Sequence, residues 1–314
     1  MSRSGDLPSP CKLTIGGKER LDKELCQILH ISRETAKRLI LSGRVRIKGA
    51  TRHHPARKMG EKTEVEILPA ALLPAAADRD SVKSRPDLDI QILYEDESLL
   101  AINKPSGLTV HPGAGHETDT LVDLLRAKKI QLATLTDTSR AGLVHRLDKD
   151  TSGLLLIAKN NSVAENLMMQ FAERKVEKEY RAVVRGRLPK RTLTIVGAIG
   201  RSPTDRKKFS IQHGGREATT VIEAMGECPI GTLIRVVPKT GRTHQIRVHL
   251  RHAGFPVIGD PVYGVRLQGV ERMLLHAYKI TFTHPATGVR MQFIAPLQKD
   301  FVLSLIHLGF PGFD

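Results

Sequence analysis

The most constraining feature of the chain is a charged loop that runs directly into an uninterrupted apolar block, within residues 142–159 (GLVHRLDKDTSGLLLIAK). The apolar block, residues 154–158, has the length and composition of a buried strand. A Thr-Ser-Gly turn at residues 151–153 separates the block from the charged residues. A buried strand holds the loop beside it rigidly, which favours a functional site there. A solvated loop before a core strand is the competing interpretation, because charged side chains are most often exposed.

The length and periodicity of the chain indicate an α+β protein with more than one folding unit. The 314 residues suffice for one large core or for two domains. Strand-like alternation and helical spacing of apolar residues occur in both halves of the chain. Periodicity alone therefore predicts the α+β class, without a specific topology.

The charge of the chain predicts a polyanionic partner. Lys and Arg number 49 against 33 Asp and Glu, a formal net charge of +16. Nucleic acid is the first candidate partner and an anionic membrane the second. Residues 33–58 hold nine Lys and Arg against one acid, a net +8 that is half of the excess. The basic residues therefore form a patch, which favours a specific binding surface.

Cysteine usage and hydropathy predict the compartment. Cys11, Cys26 and Cys228 are odd in number and far apart, which predicts neither a disulfide framework nor a zinc site and fits a reducing compartment. No apolar run approaches the length of a membrane span, and the first residues lack the apolar core of a signal peptide. We expect a cytoplasmic protein that does not enter a membrane.

Residues 18–68 carry the pattern of a small α+β module. Two amphipathic helical stretches, with Ser32 as a candidate N-cap and Gly43 as a terminator, are interleaved with short alternating strands. This order resembles the S4 RNA-binding domain. The resemblance implies phosphate contacts that do not read bases. The candidate contacts are Arg33, Lys37, Arg38, Arg44, Arg46 and Lys48.

The remaining boundaries follow from composition. Residues 1–17 are expected to form a flexible tail. Residues 69–86 are rich in Ala and Pro and are expected to form an extended linker. Residues 87–314 then form the second, larger domain. A basic hairpin within residues 200–217 is a second candidate RNA contact, through Lys207 and Lys208.

Several separated motifs of the larger domain resemble, in order, those of the RluA family of pseudouridine synthases. They are His-Arg-Leu-Asp-Lys-Asp-Thr-Ser-Gly-Leu at 145–154, Lys-x-Tyr-x-Ala-x-Val at 178–184, Thr-His-Gln-Ile-Arg-Val-His-Leu at 243–250 and Gly-Asp-Pro-Val-Tyr-Gly at 259–264. The resemblance extends over residues 90–298. It implies a catalytic domain with a mixed, largely antiparallel sheet and peripheral helices, which isomerises uridine to pseudouridine in RNA without a cofactor or a metal.

The resemblance also implies roles for individual residues. Asp148 corresponds to the catalytic carboxylate, and Arg247 to the arginine that pairs with it. Tyr180 corresponds to the active-site tyrosine, which packs against the target base and is a candidate for the late removal of the C5 proton. The substrate-binding and base-flipping candidates are Arg146, His145 and Arg242.

This assignment agrees with elementary chemistry. The target base must leave the stack before its glycosidic bond can be reached, and the planar guanidinium of Arg146 is suited to enter the vacated place. A buried Asp148 carboxylate would be destabilised by desolvation unless a cation such as Arg247 faced it. Attack at C1′, attack at C6 and charge stabilisation at C1′ all remain open for Asp148.

The branch of the family and other functions need to be distinguished. The long motif around residues 104–115, together with the S4 module, is most similar to the RluD-type branch, which implies a monomer acting on large-subunit (23S) ribosomal RNA or on the large-subunit particle. Alternatives are an RluC-type enzyme with other target uridines and a non-catalytic RNA-binding or assembly factor. A glycosidase would require paired carboxylates across a cleft, and the histidine spacing matches no zinc pattern.

Overall fold

We describe the fold from a computed structural model of the chain. The described residues are 11–16, 19–41, 43–51, 53–58, 62–68, 90–112, 119–135, 138–205 and 208–312. The chain divides into two compact units, Met1–Ser81 and Val82–Asp314. The division falls inside the stretch predicted to be a linker, residues 69–86, which itself lies outside the described residues.

The smaller unit is a three-stranded antiparallel sheet with two helices. Its elements are β1 (Cys11–Ile15), α1 (Leu21–Ile28), α2 (Arg33–Leu41), β2 (Val45–Ile47) and β3 (Thr63–Ile67). β3 lies between β1 and β2. Apolar residues of both helices, among them Leu25 and Leu39, pack with Val45 and Val65 in one buried cluster.

The first strand corrects the predicted extent of the N-terminal tail. Cys11–Ile15, within the stretch assigned to a flexible tail at residues 1–17, pairs along its whole length with β3. Ile15 is buried in the core of the unit. The alternation of Leu13 and Ile15 supplies an apolar face to this strand, so the ordered unit begins earlier than the tail prediction allows.

The larger unit contains ten strands, four α-helices and one short 3-10 helix (Thr138–Arg140) in its described residues. Its elements are β4 (Gln91–Glu95), β5 (Leu99–Lys104), α3 (Leu121–Ala127), β6 (Ser152–Ala158), α4 (Asn161–Ala172), β7 (Glu177–Arg185), β8 (Thr192–Arg201), β9 (Phe209–Ile211), β10 (Arg216–Cys228), β11 (Gly231–Pro238), α5 (Gln245–His252), β12 (Leu275–Thr283), β13 (Arg290–Ile294) and α6 (Lys299–His307). Among the described residues, no helix has both the length and the apolar character needed to cross a membrane.

All ten strands belong to one sheet. The order is β4-β5-β6-β12-β7-β11-β10-β8-β9, and β13 pairs with β12 as a branch. The pair β6–β12 is parallel, and the other described pairs of this sheet are antiparallel. The predicted α+β class with a mixed, largely antiparallel sheet is therefore confirmed.

The middle of the sheet fixes the place of the motifs at residues 145–154 and 178–184. β6, predicted from its apolar run, is buried at every position. Next to it come β12 and then β7, on which Tyr180 lies. Tyr180 packs against two apolar clusters. One cluster includes residues of β5 and β6, and the other includes residues of β10 and β11. The loop before β6 and the side chain of Tyr180 therefore lie near each other.

The short parallel pairing depends on a glycine. Gly153 opposes Ala277 in the β6–β12 pair and has a φ of +106°. A Cβ atom at residue 153 would overlap the backbone nitrogen and carbonyl of Ala277. Only glycine permits both this φ and this close backbone approach.

We predict that Gly153→Ala destabilises the larger unit by more than the strain of a positive φ alone. Gly186→Ala is the matched control, because Gly186 also has a positive φ, +85°, but has open space around it. The control should lower the free energy of unfolding by about 1–2 kcal/mol. Gly153→Ala should lower it clearly more, as measured by urea unfolding, because the β6–β12 pair must separate. Equal losses for the two variants would contradict the prediction.

Candidate active site

One cleft of the larger unit, termed the Asp148 cleft, collects the predicted catalytic and substrate-binding residues. It has a volume of about 410 Å³. Its lining includes all six of these predicted residues: Asp148, Tyr180, Arg247, Arg146, His145 and Arg242. Three more cations line it, Arg174, Lys178 and Lys239, and Asp148 is its single acid among the lining residues. The cleft therefore has an excess of positive charge around one carboxylate.

Backbone contacts hold the loop of residues 145–151, termed the Asp148 loop, in place. The Thr151 amide donates to the Asp148 carbonyl at 3.1 Å and closes a turn. The Gly107 amide donates to the Lys149 carbonyl at 3.0 Å, and the Ser106 hydroxyl donates to the Asp150 carbonyl at 2.8 Å. The loop after β5 therefore supports the Asp148 loop at residues 149 and 150.

Lys104 ties these two loops together, a role that the sequence analysis did not predict. Its side chain is fully buried. Its Nζ donates to the carbonyls of Pro105 at 2.8 Å, Leu108 at 2.9 Å and Lys149 at 2.9 Å. Burial lowers the pKa of Lys104 to about 7. The Lys-Pro-Ser-Gly sequence was a visible signal, but which carbonyls the lysine would bind could not be read from it.

His145 anchors the start of the Asp148 loop. Its Nε2 accepts a hydrogen bond from the Leu156 amide at 2.9 Å, so the ring proton resides on Nδ1. Its ring stacks on Phe171 with centroids 4.6 Å apart. Burial lowers the pKa of His145 to about 3, and the ring is therefore neutral. His145 lines the cleft, and these contacts also position the Asp148 loop. Its predicted part in base flipping or substrate binding stays a prediction.

Arg247 lies on α5 and bridges two carboxylates. Its Nε and Nη2 donate to Asp260 at 2.7 and 2.8 Å, which forms a bidentate pair. Its Nη1 donates to Asp148 Oδ2 at 2.9 Å. The Arg247 side chain is only 3% exposed, whereas that of Asp148 is 19% exposed. Asp148 is therefore held from behind by a buried cation and faces the cleft.

Asp260 fixes the plane of the Arg247 guanidinium. Its Oδ1 also accepts from the amides of Val262 at 2.8 Å and Tyr263 at 3.0 Å. Burial alone would raise the pKa of Asp260, but the hydrogen bonds and charge of Arg247, with the two amides, lower it overall. The same balance acts on Arg247, where burial is outweighed by Asp260 and Asp148 and the pKa is raised. Asp260 and Arg247 are therefore both ionised at neutral pH.

Gln245 explains why the Thr-His-Gln stretch folds as it does. Its Oε1 accepts from the Thr240 hydroxyl at 2.7 Å and from the Arg242 amide at 2.9 Å. Its Nε2 donates to the Thr219 carbonyl and the Thr220 hydroxyl, each at 3.0 Å. These four bonds close the loop before α5 and fasten it to β10. Arg242 is thereby placed on the rim of the cleft, where its Nε donates to the Glu217 carbonyl at 3.2 Å.

His244 is a second site residue that the sequence analysis did not assign. It has a φ of +56°, which is unusual for a residue other than glycine. Its Nδ1 lies 2.9 Å from the hydroxyl of Tyr263, which also accepts from the Phe209 amide at 2.8 Å. Its Nε2 lies 3.9 Å from Asp148 Oδ2. Burial lowers its pKa despite the nearby Asp148 carboxylate, so the imidazole is neutral at pH 7.

Tyr180 lies on the wall of the cleft, as predicted for a strand residue that faces the site. Burial, followed by the charge of Asp148, raises the pKa of Tyr180 well above its ordinary value. The phenol is therefore protonated at any pH near neutrality.

Arg146 is exposed at the mouth of the same cleft.

The predicted phosphate contacts of the smaller unit have different environments. Arg44 is buried and its Nε donates to the Leu68 carbonyl at 2.8 Å, so its predicted phosphate contact is wrong: the guanidinium is withdrawn into the unit. Arg33 and Arg46 are about half exposed and pair with Asp22 and Glu66. Lys48 is exposed and Lys37 half-buried. The side chain of Arg38 lies outside the described part of the chain.

The candidate contacts of the basic hairpin are described only in part. Lys207 lies outside the described residues. Lys208 is about half exposed and pairs with Asp205 at 3.5 Å. The prediction for this hairpin therefore stays a prediction.

We predict that Asp260→Asn destabilises the protein by about 3 kcal/mol at pH 7. The change removes one of the two carboxylates that compensate the charge of buried Arg247. The folded-state pKa of Asp260 is lowered, so its contribution is complete above the unfolded-state pKa of about 4 and is lost as the pH falls through the folded-state value. The difference in free energy of unfolding between wild type and Asp260→Asn should therefore decrease on acidification. Urea unfolding at several pH values from 7 to 3 measures this difference.

Glu173→Gln is the control for this series, because Glu173 forms an exposed ion pair with Lys175. It should leave stability nearly unchanged at each pH. A gap between wild type and Asp260→Asn that widens on acidification would contradict the assigned role of Asp260.

Comparisons with known proteins agree with this geometry. The family model for RNA pseudouridylate synthase matches residues 98–252. Ribosomal large subunit pseudouridine synthase D of Pseudomonas aeruginosa is 36% identical over 308 residues, which cover 93% of this chain and 93% of the relative. An uncharacterized RNA pseudouridine synthase of Bacillus subtilis is 37% identical over 285 residues, covering 90% of this chain and 91% of the relative.

A solved structure extends the similarity to the fold. Human RNA Pseudouridylate Synthase Domain Containing 1 superimposes with a TM-score of 0.57 and 28% identity, over 67% of this chain and 84% of that chain. The motifs, the largely antiparallel sheet and the extent of the similarity all lead to the same assignment. The chain belongs to the RNA pseudouridine synthase family, in the RluA group that its motifs resemble.

Proposed function

We propose that this protein isomerises specific uridines to pseudouridine in large-subunit (23S) ribosomal RNA, with Asp148 as the catalytic carboxylate. The observation that carries the proposal is the hydrogen bond from buried Arg247 to Asp148 inside a cleft whose other charged side chains are all basic. Relatives named ribosomal large subunit pseudouridine synthase D, at 35–36% identity over about nine-tenths of the chain, support the choice of RNA.

The cleft suits a nucleotide that has left its helix. A uridine within a stack hides its C1′ and C5 atoms, so it must be flipped out before either can react. Exposed Arg146, at the mouth of the cleft and two residues before Asp148, is suited to occupy the vacated place in the stack. The remaining cations of the cleft supply binding energy that offsets the loss of stacking.

Asp148 supplies the reacting oxygen. Both of its described polar neighbours, Arg247 and His244, face Oδ2. Oδ1 is thus the oxygen that we assign to attack, at C1′ or at C6, or to charge stabilisation at C1′. In each route the N1–C1′ bond breaks, the uracil turns and C5 bonds to C1′. Any bond that Oδ1 has formed to C1′ or C6 breaks again, the C5 proton leaves and N1 takes up a proton from solvent.

Tyr180 is assigned to packing the uracil. A phenol whose pKa is raised keeps its proton at neutral pH and is a poor base. We therefore assign to another group the late removal of the C5 proton that the family resemblance suggested for Tyr180. A protonated hydroxyl can still donate a hydrogen bond to the substrate.

The smaller unit is proposed to be an S4 RNA-binding domain. Two helices beside a three-stranded sheet, with Arg33, Lys37, Arg46 and Lys48 outside its core, support phosphate contacts by this unit. Such contacts would increase affinity without selecting a base. We further propose that the protein acts as a monomer in the cytoplasm, where its ribosomal substrate is assembled.

Tritium release from RNA labelled at uridine C5 tests the substrate. We expect the wild-type protein to release tritium from large-subunit rRNA or from the isolated large subunit, but not from small-subunit rRNA or tRNA. Release from tRNA would contradict the ribosomal assignment. No release from any RNA or particle would favour a non-catalytic RNA-binding or assembly factor. Mapping the modified positions distinguishes an RluD-type from an RluC-type target.

A further inference from the structure

Lys178 differs from the other shielded cations of the larger unit because, among the described residues, its Nζ has neither a carboxylate nor a hydrogen-bond acceptor. Among the described residues, no carboxylate lies within ion-pair distance of its Nζ. Arg247 and Arg272 each pair with an aspartate. Lys104 instead binds three carbonyls. Lys178 is half-buried, and this burial lowers its pKa. An ammonium group shielded from water without an anion is unfavourable unless a ligand supplies the anion.

The amino group of Lys178 lies inside the Asp148 cleft. Lys178 lines the cleft together with Asp148 and Tyr180. Its Nζ is 5.9 Å from the centre of the Phe171 ring. It is also 3.7 Å from the place that a Cβ atom would take on Gly241, another lining residue of the cleft. The ammonium group therefore lies between residues of the cleft wall, where a substrate group can reach it.

The place of Lys178 on its strand relates it to the base-packing residue. Lys178 and Tyr180 are two residues apart on β7, so both side chains point to the same face of the sheet, about 7 Å apart along the strand. One nucleotide can therefore contact both, with its base against Tyr180 and its backbone toward Lys178.

We propose that Lys178 binds a phosphate that flanks the flipped uridine and thereby holds the target nucleotide over Asp148. This inference rests on the proposed RNA substrate. A full negative charge compensates the ammonium group, and RNA carries such charges only at its phosphates. A uracil carbonyl would leave the charge uncompensated. The contact belongs to positioning, because it fixes the nucleotide and leaves bond making to Asp148.

Replacement of Lys178 by methionine separates this role from a structural one. Methionine keeps the length and apolar packing of the side chain and removes the charge. Because the free protein holds this charge without an anion beside it among the described residues, Lys178→Met should keep or raise the melting temperature. Its binding to RNA should nevertheless weaken about tenfold. Lys178→Arg retains a charge and should bind more tightly than Lys178→Met.

The dependence of binding on salt identifies the phosphate. The probe is a stem-loop RNA in which the wild-type protein forms pseudouridine. The plot of log K against log salt concentration has a negative slope. For a phosphate contact in a single-stranded loop, this slope should become less steep by about 0.7 in Lys178→Met. Lys175→Met is the control, since Lys175 is exposed, is paired with Glu173 and lies outside the lining of the cleft. It should leave the slope nearly unchanged.

Neutral methylphosphonate linkages, placed one at a time on either side of the target uridine, complete the test. At one of these positions the neutral linkage should weaken wild-type binding about tenfold and should not weaken Lys178→Met further, because both changes remove the same ion pair. The inference would be overturned if the losses of RNA affinity from the linkage and from Lys178→Met were additive at both positions. It would also be overturned if Lys178→Met bound RNA with the same salt slope as the wild-type protein. A lower kcat with that unchanged slope would assign Lys178 to contact with the base.

The outcome for Lys178 can be separated from that for the proposed function. Tritium release by the wild-type protein alone decides whether, and on which RNA, isomerisation occurs. The Lys178 inference is judged by the difference between wild type and variants on whichever RNA is modified. An active wild-type protein with a Lys178→Met variant that binds equally well would sink the inference and leave the proposed function intact.

Discussion

The site depends on a buried guanidinium shared between two carboxylates. Asp260 takes two donors of Arg247 and two backbone amides, so the plane of the arginine is fixed before any substrate arrives. A third donor is left for Asp148. Arg247 therefore sets a buried cation against Asp148 Oδ2 and leaves Oδ1 as the oxygen that we assign to reaction.

The fold serves to bring these groups together from distant parts of the chain. Asp148 and Arg247 are separated by 99 residues. The Asp148 loop is supported by Lys104 and by the parallel β6–β12 pair, where Gly153 allows close contact. α5, which carries Arg247, begins in the loop that Gln245 closes. Both halves of the site thus rest on rigid strands, and small displacements of either would be costly to catalysis.

Local pattern predicted much of this arrangement. The apolar run at residues 154–158 forms β6, and the alternation around Tyr180 forms β7. Motif resemblance led to the Asp148–Arg247 pair, which the structure brings to 2.9 Å. Other features depend on tertiary contacts that no local pattern encodes. Arg44 belongs to a basic stretch, yet its buried Nε binds the Leu68 carbonyl. Lys104 binds a carbonyl 45 residues away, and Asp260 binds Arg247, 13 residues earlier. The tail prediction was wrong at β1, where the alternation of Leu13 and Ile15 forms a strand that pairs with β3.

The central claim is that Asp148 performs the chemistry while the surrounding cations bind RNA. Single-turnover tritium release by wild type and Asp148→Asn, with RNA affinity measured on the same samples, tests it most directly. Asparagine keeps the size of the side chain and removes the charge that attacks. The account predicts that release is abolished while RNA affinity changes by less than about threefold, because the cleft remains basic. Release at the wild-type rate by Asp148→Asn would contradict the account.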